Sequence, residues 1–513
     1  MRTQAIGVVV VVLSIVFLSA SILPTPTFPK DKLVKPVLRN YYTPDHYPSY
    51  QEITHTLHQI AQDHPDICKV FSIGQTWGWN PSTGQYDWPK EIWTIKISDN
   101  PDVNETSTEA SIFIHWHHAR EWIDPAFMMY LINKLVNEYY TNDTIHWIVD
   151  HFEIFIAPLS NADGYIVDGN GNLNNITPEW YPPAGGWRKN CRDNNGNGTF
   201  EITDKWWAEG EGVDPERNWD WHWEDGNDDP NAADYHGPSP FSEPLVQAEK
   251  NFIESYDIDA QCVLHSFSAA ILIPWFYTSQ NCPHDSFYRD FANHMALRTK
   301  IEGDPSQHYD YGRPDEVIGY SAPGGSSDWV YGALNKIGIA IEMEPTGDYS
   351  GDGFHPSTDK IATYCDDLYE AMIYFLEIAD TKLKPPSEAS NQPNAYIVWG
   401  YVKDSQGNPL SGVTVSIRNT VNGDVISTKT DENGFYMLNL GTLSNAYNSS
   451  TQFEISAGGE VQQFTPNSGM GSERIDLTGV VPTIAPNYIF IIIVLGALIA
   501  ISFAKEEREN EVS

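Results

Sequence analysis

Apolar positions give the outline of the chain. Residues 50–64 set Ile53, Leu57 and Ile60 at helical spacing, and residues 126–139 repeat that period. Between and after them come short runs of β-branched and aromatic residues at 68–73, 92–97, 111–114, 154–157, 262–264 and 336–341, each of strand length. An amphipathic stretch at 358–378 closes the series as a helix. This alternation predicts an α/β fold, a mixed central sheet with helices on both faces. Past residue 383 the pattern changes. Residues 384–394 are a proline-bearing polar linker, and from 395 to 478 only short strands and turns follow. Gly407-Asn408-Pro409 and Asn433-Gly434 mark two of those turns, which predicts a small all-β sandwich.

Both ends carry signatures of their own. Residues 1–21 open Met-Arg, run apolar from Val8 to Leu18 and reach Ser19, Ala20 and Ser21, the pattern of a signal peptide. A proline-rich leader fills residues 22–40. After a second linker, 479–487, the apolar run 488–504 reads as a transmembrane helix. Lys505 and Arg508 behind it place residues 505–513 in a cytoplasmic tail. The expectation is a single-pass protein of the cell membrane, with its catalytic part extracytoplasmic. In that compartment Cys68, Cys191, Cys262, Cys282 and Cys365 become disulfide candidates with at least one left over, and the pairing stays open. Asn104, Asn142, Asn175, Asn197 and Asn448 would be usable glycosylation sequons.

Length and composition allow a folded protein of two or three domains: 513 residues, 41% hydrophobic and 13% aromatic. Thirty basic residues stand against 69 acidic ones, a formal charge of −39. Such a surface repels nucleic acid and anionic lipid headgroups, which excludes both as partners.

The densest chemistry lies at 111–125, S-I-F-I-H-W-H-H-A-R-E-W-I-D-P. A strand breaks into three histidines, an arginine and a glutamate, a donor set that suits Zn²⁺. His118 and Glu121 can share one ion from a single turn. His117 with Glu121 is the alternative register, and His115 is equally read as the end of the strand. A catalytic zinc site needs a third protein ligand. His265, directly after the apolar run 262–264, is the best candidate, because open α/β sheets build their sites at the carboxyl ends of strands. Between Asp193 and Asp204, residues Asp193, Asn195, Asn197, Gly198, Glu201 and Asp204 fall in the order of a Ca²⁺-binding loop. The bidentate glutamate that ends such loops is missing, so a solvated acidic turn is the plainer reading.

Further motifs follow in order: N-A-D-G (161–164), W-R-K-N (187–190), G-V-D-P-E-R-N-W (212–219), F-S-E-P (241–244), L-H-S-F-S (264–268), G-Y-S-A-P-G-G-S-S-D-W (319–329) and I-E-M-E-P-T-G (341–347). With H-A-R-E-W (118–122), they make residues 41–383 resemble a zinc metallocarboxypeptidase of the carboxypeptidase A/B type. The resemblance implies one Zn²⁺ held by His118, Glu121 and His265, with Glu342 as general base. It implies Arg188 and Arg120 at the developing oxyanion, Arg217 on the carboxylate of the substrate, and Tyr320 closing over the bound end. The implied substrates are peptides or proteins with a free C-terminus.

Glu216 departs from the family, which usually has asparagine there. A carboxylate at that place repels a substrate carboxylate, which leaves three outcomes open: Glu216 turns away, it is protonated, or the substrate is unusual. A Glu216→Asn variant is therefore expected to bind free C-termini more tightly than the native chain. Asp315 and Glu316 could attract a basic terminal residue, whereas Ser327 and Ala340 would make a small, uncharged pocket floor. Residues 395–478 resemble the transthyretin-like, regulatory-like domain that follows the catalytic domain in the carboxypeptidase N/E branch. Two other readings stay open: a related zinc amidohydrolase acting on peptidoglycan-type amides, and a catalytically inactive cell-surface binding module.

Overall fold

The computed structural model describes residues 39–106, 109–150, 152–172, 186–204, 209–346, 353–378, 397–430, 434–440, 443, 447, 450–466 and 472–480. The expected signal peptide, linker 384–394, membrane span and tail lie outside the described residues. Among the described residues no helix is long and apolar enough to cross a membrane.

Eight strands form the central sheet: β1 (Cys68–Gln75), β2 (Glu91–Ile97), β3 (Ala110–Trp116), β4 (Phe152–Ile156), β5 (Ala260–Ser266), β6 (Ala270–Leu272), β7 (Asp310–Gly312) and β8 (Ile337–Met343). Their order is β1-β2-β4-β3-β5-β8-β6-β7. The middle is parallel: β4 with β3, β3 with β5, and β5 with β8. β1 and β2 on one side and β6 on the other run antiparallel to their inner neighbours, which makes the sheet mixed.

Successive side chains of a strand point to opposite faces, so burial on both faces demands a continuous apolar run. β3 is buried at every position. Its Ile112, Ile114 and Trp116 join one apolar cluster, whereas Phe113 joins another. Helices α1 (Tyr50–Asp63), α2 (Ile123–Glu138), α4 (Asp285–Ala296) and α5 (Ile361–Ile378) supply the first cluster, and α3 (Pro244–Ser255) supplies the second. α1 starts on a capping box, in which Ser49 accepts from the Glu52 N–H and the Glu52 side chain accepts from the Ser49 N–H.

The C-terminal strands are β9 (Ile397–Lys403), β10 (Thr414–Asn419), β11 (Val425–Lys429), β12 (Phe435–Asn439), β13 (Phe453–Ala457), β14 (Glu460–Phe464), β15 (Ser472–Arg474) and β16 (Leu477–Thr478). They form two four-stranded sheets around one apolar cluster that includes Val398, Val415, Ile417, Tyr436, Phe453 and Ile455. β9 alternates as β3 does. Val398 points into that cluster, while Trp399 is buried in the large core of the preceding α/β part, together with Phe435. The Tyr401 hydroxyl meets the ring of His294 on α4 and donates to Asp290 at 3.1 Å.

Several elements exceed what periodicity predicted. α3 and α4 fall outside the stretches whose spacing predicts helices, and β13 and β14 lie within the predicted all-β region at runs that the pattern does not single out. β6 and β7 have three residues each, too few to show a period. The disulfide expectation is corrected outright. All five cysteines are free and buried, each in apolar surroundings where a thiol fills space as a small hydrophobe.

Candidate metal centre and cleft

The parallel strands decide where the chemistry gathers. Trp116 of β3 pairs with Leu264 of β5, and His265 of β5 pairs with Glu342 of β8. Three neighbouring strands therefore end level. The chain leaving β3 turns at once, with the Glu121 N–H donating to the His118 carbonyl at 3.0 Å, which brings both side chains back over the strand ends.

His118, Glu121 and His265 are all buried and offer ligand atoms that lie within 4.8 Å of one another. The Nδ1 atoms of the two histidines stand 3.0 Å apart, and Glu121 reaches them with Oε1 at 2.8 Å and Oε2 at 3.1 Å. Nε2 of His118 faces a carboxylate oxygen of Asp214 at 3.1 Å, so the ring donates its proton there. That tautomer leaves the His118 Nδ1 lone pair aimed at the lone pairs of Glu121. Burial pushes His265 down to about 4, so it adds an uncharged ring. Acceptors converging on acceptors in a buried site need a cation. Two imidazoles and a carboxylate, with a second carboxylate orienting one ring, form a donor set that fits Zn²⁺.

A cleft of about 500 Å³ is lined by residues that include Arg120, Arg188, Arg217, Tyr320, Asp225 and Asp234. Arg188 donates from Nε to Asp214 at 2.9 Å, and its guanidinium lies 4.0 Å from Glu121. Asp214 and Glu121 outweigh burial and hold Arg188 charged, above its ordinary value. Arg217 is buried, with Nη1 donating to the Glu216 carbonyl at 3.1 Å. Arg120 stacks on Phe354 at 3.9 Å, and burial followed by Arg188 lowers it to about 10. Tyr320 is half exposed. Glu342 is partly buried; burial and then the Glu121 charge push its carboxyl up to about 8, against Arg188, Arg217 and Arg120.

Glu216 does not face the cleft. Its Oε2 meets Nδ1 of His117 at 2.5 Å, and Oε1 accepts from the Ser326 N–H at 2.9 Å and the Ser326 hydroxyl at 3.0 Å. Burial would raise its pKa, but His117 prevails and brings it down to about 2. Of the outcomes left open for this residue, the carboxylate turns away and stays charged.

His117 serves this pairing rather than the His118 group. Its Nε2 meets Glu249 at 2.7 Å, and the other Glu249 oxygen meets His115 at 3.1 Å. Burial opposes protonation of His117, yet Glu249 and Glu216 outweigh it and hold it at about 10. His115, His117 and Glu249 are near enough to hold a cation, but each ring nitrogen already has a hydrogen-bond partner.

Two further expectations fare differently. Asp315 pairs with Arg313, and Glu316 with Arg289 and Arg313, so these charges are used within the fold and not offered to a basic terminal residue. In the loop that begins at Asp193, that side chain accepts the N–H groups of Gly196, Asn197 and Gly198. Among the described residues its carboxylates form no ligand group like that of His118.

Sequence reasoning missed Asp214, which holds both His118 and Arg188, and Asn161, whose amide donates to the His117 carbonyl at 2.8 Å. Both lie inside motifs already noticed, which was the available signal. Their roles depend on partners far away in sequence.

A mixed α/β sheet carrying a buried His-Glu-His group on its strand ends, beside an arginine-lined cleft, defines a metallohydrolase-like architecture. The zinc carboxypeptidase family matches residues 53–371, and the chain belongs to that family. Residues 397–465 match the carboxypeptidase regulatory-like domain. The chain is 27% identical over 336 residues to zinc carboxypeptidase A 1 of Anopheles gambiae, covering 64% of this chain and 67% of that protein. It is 28% identical over 308 residues to carboxypeptidase A2 of Mus musculus, covering 59% and 64%. Carboxypeptidase B of Astacus astacus is 28% identical over 343 residues, covering 64% and 94%. The match thus spans about two thirds of the first two relatives. Among solved structures, thrombin activatable fibrinolysis inhibitor superposes with a TM-score of 0.55 at 22% identity, covering 67% of this chain and 77% of that one. Carboxypeptidase A from Helicoverpa armigera gives 0.54 at 21%, covering 66% and 75%. Both show the fold.

Proposed function

We propose that the chain is a zinc-dependent metallocarboxypeptidase that hydrolyses the C-terminal peptide bond of peptides or proteins. The observation that carries this is the convergence of His118, Glu121 and His265 next to Glu342 and the three cleft arginines. Zn²⁺ bound by those three residues would supply Lewis-acid chemistry at the scissile carbonyl. Arg217 pairs with the substrate carboxylate, which selects chain ends. Glu342 takes the proton of the attacking water and hands it to the leaving amine. Arg188, fixed by Asp214, stabilises the negative charge that develops on the carbonyl oxygen, with Arg120 beside it. Tyr320, exposed in the cleft wall, covers the bound end.

The test joins metal analysis to one variant. The purified chain is expected to hold one zinc, and Glu342→Gln to keep it while kcat falls by about 10²–10⁴ on peptides with free C-termini. Zinc-loaded native chain without such activity, or activity equal on amidated peptides, contradicts the proposal. The placement at the membrane belongs to the same reading and rests on residues 1–21 and 488–504. Extraction of the full chain by detergent but not by alkaline carbonate would support it, and release by carbonate would refute it.

A further inference from the structure

The residue that departs from the family pattern is firmly anchored beside the cleft. Glu216 has three partners on two other elements: His117 just past the end of β3, and the N–H and hydroxyl of Ser326. Ser326 belongs to the segment 319–329 that carries Tyr320. The backbone around Glu216 is equally tied. Its N–H donates to Asp214 at 2.9 Å, and its carbonyl accepts Nη1 of Arg217. A close approach makes this possible. Gly324 has φ +72°, and a Cβ there would lie 2.3 Å from the Arg217 carbonyl oxygen, while the Trp219 N–H donates to the Gly324 carbonyl at 3.0 Å.

We propose that Glu216 is a positioning residue for substrate binding. Clamped by His117 and Ser326, its carboxylate fixes the turn that aims Arg217 into the cleft and locks that turn to the Tyr320 segment. The inference rests on the reading of Arg217 as the anchor of the substrate carboxylate. A carboxylate next to that anchor would ordinarily weaken it. Here both carboxylate oxygens are taken up by His117 and Ser326, so the Arg217 guanidinium remains available to an incoming anion. A histidine at 117 and a glutamate at 216 are in this sense one device. Removing either leaves a buried polar group without its partner.

The inference reverses what the sequence alone suggests for this position. With the zinc-loaded full chain and a peptide bearing a free C-terminus, Glu216→Gln is expected to raise KM about tenfold, because an amide cannot accept from both His117 and Ser326. kcat should change less than about threefold and the single zinc should remain, since neither Glu342 nor a ligand is touched. Ser326→Ala removes one donor only and should raise KM about two- to threefold. It carries the test if Glu216→Gln fails to fold. An unchanged or lowered KM in the folded variants overturns the inference, and so does a fall in kcat or zinc with KM intact. Arg217→Ala separates the two levels. If it leaves KM unchanged, the anchor reading fails and the inference with it. If it raises KM while Glu216→Gln does not, the positioning inference alone fails.

Discussion

Asp214 shows what one buried carboxylate can organise. It holds His118 by Oδ1 and Arg188 by Oδ2, and the positive charge of Arg188, together with the hydrogen bond from His118, outweighs burial and keeps it ionised, well below the usual carboxylate range. It thereby sets the tautomer that leaves His118 Nδ1 free to bind a cation. Asp214→Asn should lower zinc affinity about 10- to 100-fold, measured by competition with a chelator, and should lower kcat through the loosened Arg188. Unchanged zinc affinity would mean that the ring is oriented by something else. At this scale the sequence disclosed the ligand types and their motifs, because His118 and Glu121 are neighbours. It did not disclose Asp214 as a partner of His118, because 96 positions separate them.

The parallel strands β3, β5 and β8 act as one element, since level C-terminal ends are what set His118, His265 and Glu342 side by side. The short helix Ser326–Trp329 does similar work for the Tyr320 segment. Its Asp328 is fully buried and accepts the N–H groups of Phe276 at 2.9 Å and Tyr277 at 3.0 Å. Burial pushes this carboxyl from 3.8 up to about 7. Across that interval the folded chain holds a proton that the unfolded chain has lost. Stability therefore falls as pH rises from about 4 to about 7, by up to about 1.4 kcal/mol per pH unit, and levels off above the folded value. Denaturant titrations at pH 5 and pH 7 should show this slope in the native chain and a flatter one in Asp328→Asn. Equal slopes would count against a buried neutral Asp328. The main strands were legible as apolar runs, but their order was not, because parallel neighbours are joined by long crossovers.

For the whole molecule, the C-terminal sheets are not a loose appendage. Trp399 and Phe435 are buried in the same cluster as Phe291 and Tyr374 of the α/β part. Phe435→Ala should cost about 3–5 kcal/mol, as large-to-small changes of buried aromatics do. With that anchor gone, calorimetry is expected to resolve two unfolding transitions where the native chain shows one. A single transition at the native temperature would show that the two parts are not coupled through these rings. The formal charge of −39 belongs to this scale too, because it concerns partners and not the fold.

By itself the sequence determined the types of the main elements, the change from α/β to all-β near residue 383, the donor types that suit a metal and the family. Each of these is written in local periodicity or in short motifs, where interacting residues are neighbours. Tertiary structure alone decided that Asp214 serves both His118 and Arg188, that the cysteines stay unpaired and that Glu216 turns to His117, and it brings His265 to His118 as the motifs imply. Those outcomes depend on contacts across 99 positions or more in the case of Glu216 and His117, and on 147 for the two histidines. Only packing of the sheet, not local propensity, brings such residues together.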